Sequence, residues 1–196
     1  MPKRVILLTG TPCVGKTSAA RLLTVKLNAL YVNLTDLAVN DKLVLGRDEE
    51  RNTVIVDESR LKKKIRSTIE KTDKKEVVID GHYAVNVVPE ELVTRVFVLR
   101  RDPVELRGLM EKRGFQGRKL LENLASEALD VCLFDALKAV GRRRICELNV
   151  TGLSVEETVE QILHLLRHPR KCRVGVVDWL GKLENEGLLD EYVKLN

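Results

Sequence analysis

The stretch that decides the fold is Gly10-Thr11-Pro12-Cys13-Val14-Gly15-Lys16-Thr17, which matches the phosphate-binding pattern G-x-x-x-x-G-K-[ST]. It follows the apolar run Arg4-Val5-Ile6-Leu7-Leu8-Thr9, which predicts a buried parallel strand, and it leads directly into a helical pattern. Gly10 and Gly15 let the backbone turn its N–H groups toward a phosphate, while Lys16 supplies a positive charge and the Thr17 hydroxyl can bind Mg²⁺. Because both flanks are correct, an ordinary glycine-rich turn is the weaker interpretation.

Length and composition favour one core-forming domain. The chain has 196 residues, 44% of them apolar, and a formal charge of +5, which is basic without being extreme. It contains no apolar run of about 18 residues and its N-terminus has no signal-peptide pattern, so we expect a cytoplasmic protein with no membrane partner. The cysteines Cys13, Cys132, Cys146 and Cys172 lack C-x-x-C spacing, which favours reduced thiols over a zinc site or a disulfide framework.

Strand and helix signals alternate along the chain, which is typical of a parallel sheet covered by helices on both faces. Strands are predicted over 4–9, 31–33, 76–80, 95–100 and 144–148. Helix starts are predicted at Asp57 or Ser59, at Asp102-Pro103 and at the capping box Ser154-Val155-Glu156-Glu157. The predicted fold class is therefore α/β, with the strand order left open.

A second motif is the apolar strand Val77-Val78-Ile79-Asp80, which ends in a carboxylate. An acid at this place holds Mg²⁺ through water, opposite the lysine loop. His82 follows two residues later and lies on the same side of the chain if the extended conformation continues. It would then be able to orient a water or an acceptor hydroxyl. The alternative is a histidine that caps the strand end or bonds a neighbouring carbonyl.

A third motif is the basic turn Lys112-Arg113-Gly114-Phe115-Gln116-Gly117-Arg118-Lys119, between two helical segments. Phosphoryl transfer spreads negative charge over several oxygens, so it is assisted mainly by cations. The glycines on either side of Phe115 would let the segment hinge. Together with the phosphate-binding loop, the pattern favours a mobile lid over a solvated basic loop.

The order of several motifs resembles one known family. These motifs are Gly10 to Thr17, Asp36-Leu37-Ala38, Gly46-Arg47-Asp48-Glu49-Glu50, Val56-Asp57-Glu58, Asp80-Gly81-His82, Val96-Phe97-Val98-Leu99-Arg100, and Arg113-Gly114-Phe115 followed by Lys119-Leu120 and Asn123. From about Arg4 to Leu166 the chain resembles the adenylate kinase isoenzyme 6 family of archaea and eukaryotes. The resemblance implies a P-loop NTPase of nucleoside monophosphate kinase type, a three-layer α/β/α fold with a five-stranded parallel sheet, and an archaeal source.

The resemblance also implies roles for individual residues. The implied ATP-binding residues are Gly10, Cys13, Val14, Gly15, Lys16, Thr17, Ser18 and Arg113, and the implied AMP-binding residues are Asn33, Asp36, Arg47 and Arg60. The implied catalytic residues are Lys16, Asp80, His82 and Arg113, with Mg²⁺ held by Thr17 and, through water, by Asp80. The implied organisation is a domain over 1–168, with a monophosphate-binding segment at 33–56 and a lid at 112–122, and a C-terminal extension over 169–196 that docks on it.

The implied reaction is ATP plus AMP giving two ADP, with slow ATP hydrolysis and a role in maturation of the small ribosomal subunit. The implied partner is the eleventh small-subunit ribosomal protein on the pre-ribosomal small subunit. Basic residues that could also contact rRNA, or simply be solvated, are Arg142, Arg143, Arg144, Arg167, Arg170, Lys171 and Arg173. Three functions stay open: an adenylate kinase, an assembly ATPase whose nucleotide switches affinity for the ribosomal protein, and another small-molecule kinase.

Two positions depart from the family's pattern. Cys13 stands where most such loops have glycine, and we expect the backbone to accept it only at a negative φ. Val39 stands where many relatives carry a basic residue beside the acceptor phosphate, so Lys42, Arg47 or Arg60 would have to compensate.

The tail of the chain carries two further patterns. His164 and His168 lie four residues apart with Cys172 shortly after, but these are too few ligands to favour a metal site. Val174 to Leu183 includes the only tryptophan and predicts an amphipathic element, capped by Asp178, that docks on its own domain.

Overall fold

The protein is described by a computed structural model covering residues 3–48 and 53–193. Within these residues the strands are Arg4–Thr9 (β1), Leu30–Asn33 (β2), Val44–Asp48 (β3), Thr53–Val56 (β4), Glu76–Asp80 (β5), Val93–Arg100 (β6) and Ile145–Asn149 (β7). The helices are Lys16–Leu27 (α1), Leu34–Asn40 (α2), Glu58–Lys71 (α3), Ala84–Val87 (α4), Pro103–Lys112 (α5), Gly117–Ala128 (α6), Val131–Val140 (α7), Val155–Arg167 (α8), Trp179–Asn185 (α9) and Leu189–Val193 (α10).

The main sheet has five parallel strands in the order β2-β5-β1-β6-β7, so the five predicted strands are confirmed. The central strand β1 pairs with β5 on one side and β6 on the other. Parallel strands buried on both faces need continuous apolar sequence, which the run Val5 to Leu8 supplies. A separate antiparallel pair, β3 and β4, lies in a polar part of the chain to which the sequence patterns assigned no element.

Helices cover both faces of the sheet and form two apolar cores with it. Val5 and Leu7 point into a core with α2, α3, α4 and α7, while Ile6 and Leu8 point into a core with α1, α5, α6 and α8. Successive residues of a strand face opposite sides, so one strand contributes to both cores. The three-layer α/β/α fold class is therefore confirmed.

The predicted helix starts are also found. The Asp57 side chain accepts the Arg60 N–H at 3.0 Å and Asp102 accepts the Val104 N–H at 2.8 Å. Ser154 and Glu157 bond reciprocally as a capping box. Such caps satisfy backbone N–H groups that have no partner inside the helix. The segment predicted as amphipathic from Val174 is helical only from Trp179.

The C-terminal residues pack on the same face as α5 and α6. Leu183 and Tyr192 belong to the core that contains Leu106 and Leu124, and Trp179 is also buried. In the two described ranges, no helix combines the length and the apolar composition needed to cross a membrane.

The cysteine pairing differs from the sequence-based expectation of reduced thiols. Cys146 in β7 forms a disulfide with Cys172, and the two Cα atoms are 4.7 Å apart. The chain returns past β7 at this point, where the Glu147 N–H donates to the Arg173 carbonyl at 2.9 Å. The pairing could not be read from the spacing of 26 residues, because it depends on where the tertiary fold brings the chain back.

Thiol counting checks this disulfide. Because Cys13 and Cys132 are the free cysteines, the denatured unreduced chain should expose two thiols to Ellman's reagent, and four after reduction. Cys172→Ala should lower the free energy of unfolding by about 3–4 kcal/mol, since the closed loop restricts the unfolded chain. The matched control is the same comparison under dithiothreitol, where variant and wild type should be equally stable. Four thiols before reduction would contradict the pairing.

Candidate functional site

The loop Gly10–Thr17 connects the C-terminal end of β1 to the N-terminus of α1. Gly10 has φ 137°, and a Cβ there would lie 2.4 Å from the Leu99 carbonyl oxygen. Gly15, at φ 107°, precedes the first residue of the helix. Both positions therefore require glycine, and they place backbone N–H groups at the positive end of the α1 dipole.

Cys13 does not have the negative φ that the sequence led us to expect. Its φ is 70°, in the left-handed region that costs an L-residue about 1–2 kcal/mol. The loop has to reverse within a few residues to turn its amides inward, and this requirement overrides the local preference. The side chain packs against the core that contains Val14, which offsets part of the cost.

Lys16, Thr17 and Asp80 come together at the end of the loop. The Thr17 hydroxyl donates to Asp80 Oδ2 at 2.6 Å, and Lys16 Nζ donates to the Thr11 carbonyl at 2.8 Å. Burial lowers the pKa of Lys16, while Cys132, Asp80 and other nearby acidic groups oppose this shift. The structure thus joins the residues expected to hold phosphate and metal.

Asp80 is a buried carboxylate with further partners. Its Oδ2 also accepts from the Tyr31 hydroxyl at 3.2 Å and from Asn33 Nδ2 at 3.1 Å. Asn33 Oδ1 in turn accepts the Asp36 N–H at 3.0 Å and so caps α2. The sequence analysis missed Tyr31, although the carboxyl ends of neighbouring parallel strands meet at one sheet edge and its position near the end of β2 was a usable signal.

The sequence analysis placed His82 at the site if the extended conformation of β5 continued. In the structure β5 does not continue, and His82 reaches the site through a turn. The strand ends at Asp80, Gly81 begins a turn into α4, and the His82 carbonyl accepts from Thr9 Oγ1 at 2.9 Å. Part of the residue's surface is open to solvent. Desolvation of the ring and the positive charge of Lys16 nevertheless lower the pKa of His82 from 6.5 to about 4, against an opposing effect of Asp80.

The imidazole lines a cleft of about 190 Å³ beside the loop. The residues around this cleft are Thr11, Pro12, His82, Tyr83, Asn86, Asn123, Ser126, Val131, Cys132 and Asp135. Loop, α4, α6 and α7 therefore share one concave surface. A neutral imidazole on such a surface can accept a hydrogen bond from a hydroxyl or a water.

The basic turn lies between two helices, as predicted. The helix α5 ends at Lys112 and α6 begins at Gly117. Arg113 caps α5 and is exposed, and its side chain forms no hydrogen bond or ion pair with residues 3–48 or 53–193. Lys119 Nζ lies 5.4 Å from the centre of the Phe115 ring, and its charge contributes to the lowered pKa of His82. The start of α6 therefore faces the imidazole.

Arg101 is a cation that the sequence analysis missed. It is 8% exposed, and its Nη2 lies 4.0 Å from the position that a Cβ on Gly15 would take. Its guanidinium pairs with Glu105, which also accepts the Gly152 N–H at 2.9 Å. The sequence did hold a signal for Arg101, because the residue directly follows β6, and β6 pairs with the strand that leads into the phosphate-binding loop.

The remaining residues that the resemblance implied for nucleotide binding form no comparable cluster of contacts in the described structure. Asp36 in α2 and Arg60 in α3 are exposed, as is Ser18 at the start of α1. Arg60 forms no side-chain hydrogen bond or ion pair with the described residues. The backbone of Arg47 belongs to β3, but its side chain lies outside the described part of the structure. Val39 is 53% exposed on α2.

Comparison with known proteins identifies the family of this chain. A family model described as "AAA domain" matches residues 6–130. A protein of Methanocaldococcus jannaschii named "Putative adenylate kinase" is 34% identical over 177 residues, covering 90% of this chain and 93% of that protein. This chain belongs to the adenylate kinase-like family of P-loop proteins. A Pyrococcus furiosus protein of the same name is 39% identical, covering 89% of this chain and 91% of that protein.

Solved structures agree on the fold. Shikimate kinase from Bacteroides thetaiotaomicron has a TM-score of 0.58 at 17% identity, covering 84% of this chain and 98% of that one. Thymidylate kinase from Candida albicans has a TM-score of 0.55 at 14% identity, covering 86% of this chain and 93% of that one. This adenylate kinase-like protein therefore has the nucleoside monophosphate kinase-like fold.

The lowered pKa of His82 can be measured by NMR. Its imidazole should titrate with a midpoint near 4, and its resonance, assigned by its loss in His82→Gln, should stay constant from pH 8 to 5.5. Between pH 6.5 and 4 the unfolded chain takes up this proton and the folded chain does not, so His82 lowers stability as pH falls through that window. A midpoint near 6.5 would show that the ring is not shielded.

Proposed function

We propose that this chain is an adenylate kinase of the isoenzyme 6 type, transferring the γ-phosphoryl group of ATP to AMP to give two ADP, with slow ATP hydrolysis. The observation that carries the proposal is the 2.6 Å hydrogen bond from Thr17 to Asp80, beside Lys16, in a chain whose relatives are named adenylate kinases. This arrangement joins a phosphate-binding helix terminus to a metal-binding carboxylate. Such a pair is what transfer between nucleotides requires.

The residues at this point fit Mg²⁺. A carboxylate and a hydroxyl are oxygen ligands, and Mg²⁺ is commonly bound through one or two carboxylates together with substrate phosphates and water. Thr17 and Asp80 would hold the ion, Asp80 through water. The bonds from Tyr31 and Asn33 to Asp80 would keep the carboxylate oriented. The bound ion would neutralise charge on the phosphates.

The protein's own groups would do the rest by position and charge. Lys16 and the loop amides would hold the phosphates of ATP, and Arg113 would approach when the turn between α5 and α6 closes. His82, neutral at pH 7, would accept a hydrogen bond from the attacking oxygen and orient it. Lys119, near the imidazole, would add positive charge on the lid side.

The same proposal includes the acceptor side and the cellular setting. Asn33, Asp36, Arg47 and Arg60 would contact AMP within the segment 33–56, and residues 169–196 would form the C-terminal extension. We place the protein in the cytoplasm. The expected reduced thiols no longer support this location, because Cys146 and Cys172 form a disulfide. The proposed partner is the eleventh small-subunit ribosomal protein during maturation of the small subunit.

One observation favours the second candidate, an assembly ATPase with negligible kinase activity. Val39 is exposed on α2, and we propose that it stands where relatives carry a cation beside the acceptor phosphate. Exposed basic residues outside the cleft, such as Arg143, Arg170 and Lys171, would then serve an anionic partner such as rRNA. In this case the attacking group is water and His82 orients it.

A coupled assay for ADP tests the proposed reaction. Robust ADP formation should require both ATP and AMP, and Lys16→Ala should abolish it. His82→Ala should lower kcat about 100-fold and leave the Kd for ATP unchanged, because the residue acts on the attacking oxygen. The matched control is His164→Ala on α8, which should behave as wild type. ATP hydrolysis that the ribosomal protein stimulates and that does not depend on AMP would favour the second candidate. An unchanged kcat in His82→Ala would contradict the proposed role of His82.

Val39 provides a test of the acceptor side. Val39→Arg should lower the KM for AMP about fivefold, because a guanidinium can form charge-assisted hydrogen bonds with the phosphate. Val25→Arg, at a position 77% exposed on α1, adds the same charge elsewhere and should leave this KM unchanged. An equal effect of both variants would indicate general electrostatic attraction, and no effect of either would place Val39 away from AMP.

A further inference from the structure

Glu127 is a buried carboxylate that the proposed phosphoryl transfer does not use. It is 1% exposed and accepts four hydrogen bonds from four different residues. Oε1 accepts from Arg100 Nε at 2.9 Å, from the Arg101 N–H at 3.1 Å and from Trp179 Nε1 at 3.1 Å. Oε2 accepts from Thr11 Oγ1 at 2.5 Å. A buried carboxylate shared by several donors links their positions, because the bonds of such a network depend on one another.

Thr11 connects this carboxylate to the phosphate-binding loop. Its side chain is buried and donates to Glu127, while its carbonyl accepts from Lys16 Nζ at 2.8 Å. Glu127 therefore sets the position of a loop residue that contacts the phosphate-binding lysine. If Lys16 turns to a bound phosphate, the Thr11 carbonyl loses this donor, and the residue can then shift while its hydroxyl stays bonded to Glu127.

Trp179 connects the same carboxylate to the C-terminal residues. It is 7% exposed and begins α9, where Asp178 caps the helix. The preceding residues are fixed by another buried acid, because Glu147 Oε2 accepts the Gly175 N–H at 2.5 Å and the Val176 N–H at 3.0 Å. The indole therefore approaches Glu127 from a segment docked on β7.

We propose that Glu127 is a positioning residue that couples the C-terminal segment 173–193 to the phosphate-binding loop, so that ATP binding alters the surroundings of Trp179 and docking of Trp179 raises the affinity for ATP. The two oxygens of one carboxylate cannot move independently, and a shift of Thr11 changes the bond to the indole. Coupling between two sites is reciprocal in binding free energy. The inference rests on the proposed function only in assuming that the loop binds ATP.

The alternative is that the carboxylate is merely structural and stabilises the fold without acting on the loop. A structural role predicts loss of stability with unchanged nucleotide affinity. The coupling predicts instead that changes at Trp179 and at Thr11 affect ATP affinity through each other. A double-mutant cycle separates these two cases.

The cycle uses two single variants and the double variant. Trp179→Phe keeps an aromatic ring and removes the N–H, and Thr11→Val removes the hydroxyl at similar volume. With ATP and Mg²⁺ in calorimetry, Trp179→Phe should raise the Kd roughly three- to tenfold in the wild-type background, since one hydrogen bond is lost. In the Thr11→Val background the same change should alter the Kd by less than about twofold. An equal fold-change in both backgrounds would overturn the coupling.

The matched control is Asp130→Asn. Asp130 also pairs with Arg100, but among the described residues it forms no hydrogen bond or ion pair with Trp179 or Thr11. Its left-handed backbone at φ 58° is one that asparagine accepts. The variant should lower the melting temperature and leave the Kd for ATP unchanged. If Asp130→Asn raises the Kd as much as Trp179→Phe does, the role of Glu127 is structural only.

A measurement on the wild-type chain needs no variant. Because Trp179 is the only tryptophan, saturating ATP with Mg²⁺ should shift its fluorescence emission, and the shift should disappear in Thr11→Val at saturating ATP. Binding of ATP without any change in emission would overturn the coupling while leaving the proposed function intact. Absence of ATP binding in calorimetry would overturn the proposed function, and with it the coupling.

Discussion

The pairing of Arg100 with Glu127 is the interaction on which the organisation of the site depends. Both residues are 1% exposed, and burying such charges is tolerable only when they are paired and hydrogen-bonded. The guanidinium also donates to Glu147 at 2.7 Å and to the Glu127 carbonyl at 2.8 Å. The pair thereby ties the end of β6, the strand next to β1, to the end of α6 and to β7.

A rigid frame of this kind suits a site that acts by position and charge. Gly10 packs against the Leu99 carbonyl at the end of β6, so the loop rests on the same strand that carries Arg100. On the other side of β1, Asp80 is held by Thr17, Tyr31 and Asn33. Both carboxylates are thus oriented from several directions before any ligand binds, which reduces the reorganisation that catalysis would require.

Charge is unevenly distributed around the cleft. Three cations lie around the loop and His82, namely Lys16 in the loop, Arg101 beside Gly15 and Lys119 at the start of α6. Desolvation of the ring, with a contribution from Lys16 and Lys119, lowers the pKa of His82 to about 4. A neutral imidazole can accept a hydrogen bond without carrying charge itself. Val39, at the position proposed to face the acceptor phosphate, is exposed and uncharged.

The sequence by itself determined the local features of this protein. Glycine spacing, apolar runs and helix caps act within a few residues, so they predicted the loop, the five strands of the main sheet, the helix starts and the closeness of Asp80 to Thr17. Only the tertiary structure decided the strand order, the contact of Tyr31 with Asp80, the left-handed Cys13, the Cys146–Cys172 disulfide and the place of Glu127 between Thr11 and Trp179. Most of these depend on distances between residues far apart in the chain, which periodicity and local motifs do not report. The position of Tyr31 near the end of β2 was a usable signal, but the contact itself required the strand order. The conformation of Cys13 depends on a loop geometry that overrides its own preference.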